Sequence, residues 1–332
     1  DAYGRVNNTI GVALVTTGPG GTNAVTGVAG AWMESTPLLM LSGQVSRINL
    51  IGNDGVRQLG FQEADVVSIV RSITKYAVLV HDPREIRYHL EKAIFMARHG
   101  RPGPVWLDIP LDVQAAQVEP SELPGFDAGS VAEEYETTAS LTAKARLLLD
   151  WLSRSKRPLL LGGHGVWLSN GVEAFRHLAS ILCIPVQTTW NAMDIVADDC
   201  PLFFGRANSY GPRYPNFVIQ NCDLLISIGA RLGIQHIGYN VKAFARCAKK
   251  VMVDVDKAEL RKRTLSIDLP VHCDAKRFMD LLIQLADEPR VAHYEDWLDW
   301  CRMIKARFPI CGSEYYQKTD YVDAYAFFDK LS

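Results

Sequence analysis

Short apolar runs rich in β-branched residues alternate along this chain with longer stretches in which apolar positions recur every three or four residues. That alternation predicts repeated βα units and a parallel sheet. In the first third, residues 9–16 read as a buried strand and 23–34 as a helix. Residues 37–42 read as a strand, 63–70 as a turn or two of helix, 76–80 as a strand, 83–98 as a helix and 104–109 as a strand. From 117 to about 138 the pattern lapses. Pro120, Pro124, Gly125 and Gly129 stand there among acidic residues, as in an interdomain linker. A second α/β unit then follows. Its strands are expected at 158–161, 184–188, 223–228, 250–255 and 271–273. Its helices are expected at 169–182, capped by Ser169 or Asn170, from about 257, and at 274–285. An amphipathic Trp-rich helix is expected over 295–307 and another over 321–331 with Asp320 as its N-cap. The start of the chain, residues 1–6, reads as the tail of a helix.

The fold class is therefore α/β, with two parallel-sheet βα domains. The expected boundaries are a first domain over 1–117, a linker over 118–137, a Rossmann-like domain over 138–289, and a segment from 290 to 332 leading into a further domain. Three hundred and thirty-two residues can bury two cores of ordinary size.

Composition narrows the partners. Hydrophobic residues make up 48% and charged residues 22%, a globular balance, and the formal net charge of −2 gives no electrostatic case for nucleic acid. The longest apolar runs, such as VALV at 12–15, are too short to span a bilayer, and no secretory leader is read at the start. Seven cysteines lie scattered without a CxxC pair, which argues for a reducing, cytoplasmic setting and against a zinc site. The eight histidines form no HExxH pair, so no metal ligands are assigned.

One loop stands out as chemistry-bearing. TTGPGGTN, residues 16–23, joins a strand to a helix that Thr22 or Asn23 is expected to cap. Its glycines would let backbone N–H groups approach a ligand at a helix N-terminus, but a strand–glycine–helix turn is also an ordinary structural device.

Here the chain resembles the thiamine-diphosphate-dependent enzymes of the acetolactate synthase family. The resemblance runs through TTGPGGTNAVTGVAGAWMESTPLLMLSGQV at 16–45, LGFQEADVVSIVRSITKYAVLV at 59–80 and GRPGPVWLDIPLDVQ at 100–114. It continues through RPLLLGGHGV at 157–166, IPVQTTWNAMD at 184–194, CDLLISIGARL at 222–232 and KKVMVDVDKAEL at 249–260. It implies a thiamine-diphosphate pyrimidine-type domain followed by the family's middle domain. It also implies a 2-oxo acid substrate, decarboxylation and carboligation, and a homodimer or homotetramer, because the cofactor lies between domains of two subunits. Pro19, Gly20 and Asn23 match positions beside the aminopyrimidine ring. Gln62 matches the glutamine that reaches the thiazolium end, and Phe61 a wall where substrate enters. Core packing for Phe61 and a plain helix-start role for Gln62 are the bland alternatives.

Two features of the family pattern do not occur in this sequence. The activating glutamate would precede residue 1, and the GDG…N motif that holds Mg²⁺ and the diphosphate would follow residue 332. The resemblance thus implies a piece of a longer enzyme, inactive alone, with thiamine diphosphate and Mg²⁺ belonging to the longer protein. Other thiamine-diphosphate decarboxylases or hydrolases, and a non-catalytic nucleotide-binding or dimerisation module, are the alternatives.

The middle domain of such enzymes also holds a flavin. FAD would here meet Arg101, Gly162, Gly163 and Gly165 of GGHG, Gly229, Arg231, Asp254 and Asp256. Against it, GRANSYGPRYPN at 205–216 and GARLGIQHIGYN at 229–240 depart from the flavin-contacting pattern. The same glycines also suit tight strand-to-helix turns.

Overall fold

The computed structural model describes residues 1–131, 135–286 and 294–331. The chain divides into two compact units, Asp1–Glu134 and Tyr135–Ser332.

In the first unit, a helix α1 (Ala2–Asn7) leads into β1 (Gly11–Val15), α2 (Pro19–Glu34), β2 (Leu38–Gln44), α3 (Val66–Val70), β3 (Tyr76–Leu79), α4 (Ile86–Arg98) and β4 (Pro104–Pro110). The strands form one parallel sheet in the order β1-β2-β4-β3. Leu38 pairs with Gly11 on one side and with Pro104 on the other. Central strands of such a sheet are covered on both faces and so read as unbroken apolar runs. Val105, Trp106 and Leu107 of β4 are wholly buried. Val28 and Ala31 of α2, Val66 and Val70 of α3, and Trp106 fill one face. Ala93 and Ala97 of α4 pack on Leu39, Val105 and Leu107 on the other.

Two expectations fail here. β1 is an edge strand rather than a buried one, with Val12 and Leu14 largely exposed and the smaller Gly11, Ala13 and Val15 turned inward. The run VALV carries strict alternation hidden by apolar residues on both faces. Helix α2 begins at Pro19, four residues before the expected start, with Gly18 as N-cap instead of Thr22 or Asn23. Proline suits the first helical position because it has no N–H to leave unpaired. The Thr22 hydroxyl, already inside the helix, donates back to the carbonyls of Gly18 and Pro19 at 3.2 and 3.3 Å.

The second unit opens with a helix over Thr138–Arg154, capped by Thr137, whose hydroxyl accepts from Ser140 N. Its strands are β5 (Pro158–Gly162), β6 (Val186–Thr188), β7 (Leu224–Ile228), β8 (Lys249–Asp254) and β9 (Leu269–His272). They form a second parallel sheet in the order β6-β5-β7-β8-β9. The helices Thr138–Arg154, Val172–Leu182 and Ala275–Leu285 cover one face with Leu148, Leu152, Phe175, Leu178 and Phe278. Arg213–Asn221 and Glu295–Arg307 cover the other with Tyr214, Val218, Trp297 and Cys301.

The helix expected from 169 starts three residues later, at Val172, with Gly171 as N-cap rather than Ser169 or Asn170. Asn170 takes a left-handed φ of 54° between it and a short, unforeseen helix, His164–Leu168. The helix Arg213–Asn221 was not foreseen, because Gly211, Pro212 and Pro215 read as loop. Pro215 sits in its first turn, where a missing N–H costs nothing. The helix Glu295–Arg307 was placed beyond the second domain, yet Trp297, Leu298, Cys301 and Ile304 are part of that unit's core. The expected boundary at 289 lies outside the described residues. The final helix spans Ala324–Leu331, later than expected, and Asp323 rather than Asp320 accepts from Tyr325 N at its head.

Candidate active site

The glycine-rich turn and the GFQEAD segment, more than forty residues apart in sequence, meet at the carboxyl ends of β1 and β2. Ligand sites in open α/β sheets occur at this end of the strands. Gly18 takes φ +60° and lies so close to Gln62 that a Cβ there would stand 2.3 Å from the Gln62 carbonyl oxygen. Only glycine fits that contact. Gln62 itself is left-handed, at φ 58°, and its side chain is exposed. Such a conformation costs a non-glycine residue on the order of 1 kcal/mol and persists only where its surroundings hold it. Glu63 supplies part of that hold: its carboxylate accepts from the amides of Ile51, Leu59 and Gly60 at 2.6, 3.2 and 3.1 Å.

Both bland alternatives for this segment fail. Phe61 is 84% exposed and so is no core residue. Gln62 starts no helix, because α3 begins at Val66 with Asp65 as its N-cap. Pro19 and Gly20 open α2, and Asn23 stands exposed on it one turn later. Pro19, Gly20, Phe61 and Gln62 thus belong to one loop cluster.

Beneath it lies a polar network that sequence reading missed. Asp108, near the end of β4, is 2% exposed and accepts from Ser42 Oγ at 2.5 Å and Gln44 Nε2 at 2.9 Å. The Trp106 indole N–H donates to Ser42 Oγ at 2.7 Å. Gln44 Nε2 also donates to the Ala64 carbonyl at 2.9 Å. Gln44 Oε1 accepts from the Thr17 hydroxyl at 2.8 Å and from Val45 N at 2.9 Å. Among the described residues no cation pairs with Asp108. Burial pushes its carboxyl up to about 6, helped by the nearby charge of Asp65 and opposed by the hydrogen bonds from Ser42 and Gln44. The available signal was three polar residues, Ser42, Gln44 and Asp108, set at the ends of two otherwise apolar strands.

The residues matched to a flavin fall differently. Arg101 is in the first unit, where its Nε donates to Ser35 Oγ at 2.9 Å. The remaining positions gather at the carboxyl ends of β5, β7 and β8, and the gap between β5 and β7 is the switch point of this sheet. That gap is filled by the glycines themselves. A Cβ at Gly163 would strike the Gly229 carbonyl at 2.2 Å, one at Gly165 would strike Gly229 Cα at 2.7 Å, and one at Gly162 would strike Ile195 at 2.5 Å. The amides of Gly163 and Gly165 donate to the carbonyls of Ile228 and Gly229, both at 2.9 Å, and that of Val166 to Gly163 at 3.0 Å. Asp254 closes β8 and accepts from Asp256 N at 2.9 Å, while Asp256 caps the next helix through Ala258 N. Arg231 Nε stands 3.8 Å from Glu259. Thr188 Oγ1, buried at the end of β6, has no hydrogen-bond partner among the described residues, but one hydroxyl is no phosphate cradle. These glycines serve loop-to-loop packing, and the N–H groups of Gly163, Gly165 and Val166 are used within it rather than left for a phosphate. Among the described residues no group of three or more His, Cys, Asp or Glu side chains could hold a metal ion, and no helix is long and apolar enough to cross a membrane.

Known families carry the same two-part organisation. Residues 1–69 match the thiamine pyrophosphate enzyme N-terminal TPP binding domain, and residues 145–282 match the thiamine pyrophosphate enzyme central domain. The chain belongs to the thiamine pyrophosphate enzymes. It is 34% identical over 307 residues to the probable acetolactate synthase large subunit of Methanocaldococcus jannaschii, covering 90% of this chain and 49% of that one. The acetolactate synthase large subunit of Cyanidium caldarium is 36% identical over 270 residues, 80% of this chain and 44% of its own. That of Lactococcus lactis is 33% identical over 309 residues, 93% and 52%. The chain spans about half the length of the curated relatives it matches. The N-terminal match includes the glycine turn and Gln62. Asp108 lies between the two matched spans.

Proposed function

We propose that this chain supplies the pyrimidine-side wall and the central domain of a thiamine-diphosphate-dependent enzyme of the acetolactate synthase type. The reaction assigned to the longer protein is decarboxylation of a 2-oxo acid such as pyruvate and transfer of the resulting two-carbon unit to a second carbonyl. The observation that carries this reading is the loop cluster. A left-handed Gln62 is locked against Gly18 at the strand ends, with Phe61 and the head of α2 exposed beside it. The half-length match to acetolactate synthase large subunits supports the choice of reaction.

These residues fit the ring end of the cofactor. Pro19, Gly20 and Asn23 would line the aminopyrimidine, and Gln62 would face the reacting end, with Phe61 forming the wall where substrate arrives. Thiamine diphosphate, when bound, would supply the carbon nucleophile and the electron sink. The chain's own part is to orient the ring, to exclude water through Phe61, and to donate the Gln62 amide N–H to the oxygen that gains charge. No residue here is assigned to Mg²⁺ or to the diphosphate, and the polypeptide of residues 1–332 should by itself bind the cofactor only weakly. A homo-oligomer and a cytoplasmic setting accompany this reading, supported by the family and by the scattered cysteines.

Product analysis tests it. The full-length protein is incubated with pyruvate, thiamine diphosphate and Mg²⁺, and its products are followed by NMR. Acetolactate is the expected product. Acetaldehyde alone would make the protein a simple decarboxylase, and unconsumed pyruvate would overturn the reading.

A further inference from the structure

Among the described residues Asp108 has no cationic partner, and it is buried beneath the loop cluster, with its side-chain hydrogen bonds coming from Ser42 and Gln44. Buried carboxylates are normally paired, or replaced by apolar residues without loss. What distinguishes this one is the valence of its neighbour. Gln44 spends both amide protons, one on Ala64 and one on Asp108, and its oxygen accepts twice, from Thr17 and Val45. The amide cannot flip without breaking all four bonds. Ala64 lies two residues after Gln62, and the Thr17 hydroxyl stands 3.4 Å from the Gln62 carbonyl. Gln44 therefore ties the glycine turn to the GFQEAD segment, and the Asp108 carboxylate holds Gln44 in register from below.

We propose that Asp108 is a positioning residue, which holds Gln62 in its left-handed conformation by fixing the Gln44 side chain against Thr17 and Ala64. The significance of this for chemistry rests on the reading of Gln62 given above; the mechanical link does not. Oδ2 of Asp108 faces an NH₂ group, which cannot accept, so that oxygen must remain an acceptor. Oδ1 faces Ser42, whose hydroxyl already accepts from Trp106 and whose own proton needs an acceptor. Both oxygens are thus used as acceptors, a pattern that a carboxylate satisfies fully and a leucine not at all. The charge of Asp65, at the head of α3, adds to the effect of burial on this carboxyl. Without the acceptor, a Gln44 N–H is left unpaired in a buried place, and the side chain gains by swinging toward water. Thr17 and Ala64 then lose their common anchor, and Gln62 relaxes from a conformation it does not favour alone.

Hydrogen–deuterium exchange by segment tests the link on this chain without any cofactor, so its outcome stands whether or not Gln62 faces a thiamine ring. In Asp108→Leu, exchange over residues 59–65 should rise on the order of tenfold while β2 and β4 keep their protection. Thr17→Val, a half-buried position whose change spares the strands, should release the same segment. Asp108→Asn keeps one acceptor for Gln44 and should leave exchange over 59–65 within about twofold of the parent. Uniform acceleration across β2, β4 and 59–65 in Asp108→Leu, or an unchanged 59–65 segment in Thr17→Val, would overturn the proposal.

Discussion

At Gln62 the first unit holds a backbone conformation the residue would not choose alone, and at Asp108 it buries a carboxyl whose hold on its proton is raised. For Asp108 this has a pH signature. Its carboxyl is raised from an ordinary value near 3.8 to about 6, so the folded protein binds this proton more tightly than the unfolded chain does. The associated stability is fully present below about pH 4 and is lost as pH rises through about 6. The full loss amounts to roughly 3 kcal/mol at most. Urea unfolding of the parent should therefore show a fall in stability between pH 4 and 7 that Asp108→Asn lacks. Parallel pH profiles for the two proteins would show that the carboxyl is not titrating in this window. Neither residue was legible in this role from the sequence. Gln62 could be placed by resemblance, but its left-handed backbone depends on Gly18, across more than forty residues. The Asp108 network depends on strand register, which sets Ser42 opposite Asp108.

Among the elements, those with unbroken apolar runs or a capping aspartate before an amphipathic stretch were readable to within a residue or two. β7, β8 and the helix Ala275–Leu285 are of this kind, and the amphipathic pattern alone placed Glu295–Arg307. Two of the misreadings share a physical cause. Prolines at helix starts, in α2 and in Arg213–Asn221, looked like interruptions although the first turn tolerates them. Two element-level consequences can be measured. Gly27 lies inside α2, and a Cβ there would meet nothing within 4 Å. Gly27→Ala should therefore stabilise this chain by about 0.5–1 kcal/mol in urea unfolding; a loss of stability would mean another surface packs on that face. Trp297 is 3% exposed, and its indole N–H donates to the Pro158 carbonyl at 3.0 Å. Trp297→Ala should cost about 3–5 kcal/mol if the helix Glu295–Arg307 is part of the second unit's core. A cost below about 1 kcal/mol would mark the helix as peripheral.

For the whole molecule, the α/β class followed from the alternation of periods, and the family followed from several motifs in fixed order rather than from any single one. The flavin positions show the limit of that approach. GGHG and the GAR turn occupy the right strand ends, yet their glycines are needed where two loops touch, and the amides of Gly163, Gly165 and Gly229 are spent on neighbouring carbonyls. A glycine pattern records close backbone approach without saying whether the neighbour is a ligand or another loop. The central claim, that the Gly18–Gln62 cluster faces a thiamine ring, is tested most directly by turnover of pyruvate in the full-length protein. Gln62→Ala removes one preorganised donor from an exposed loop position. Its turnover should fall on the order of a hundredfold, about 3 kcal/mol of barrier, while its melting behaviour stays within about ±0.5 kcal/mol of the parent. Near-normal turnover in Gln62→Ala would contradict the assignment of this cluster to the reacting end of the cofactor.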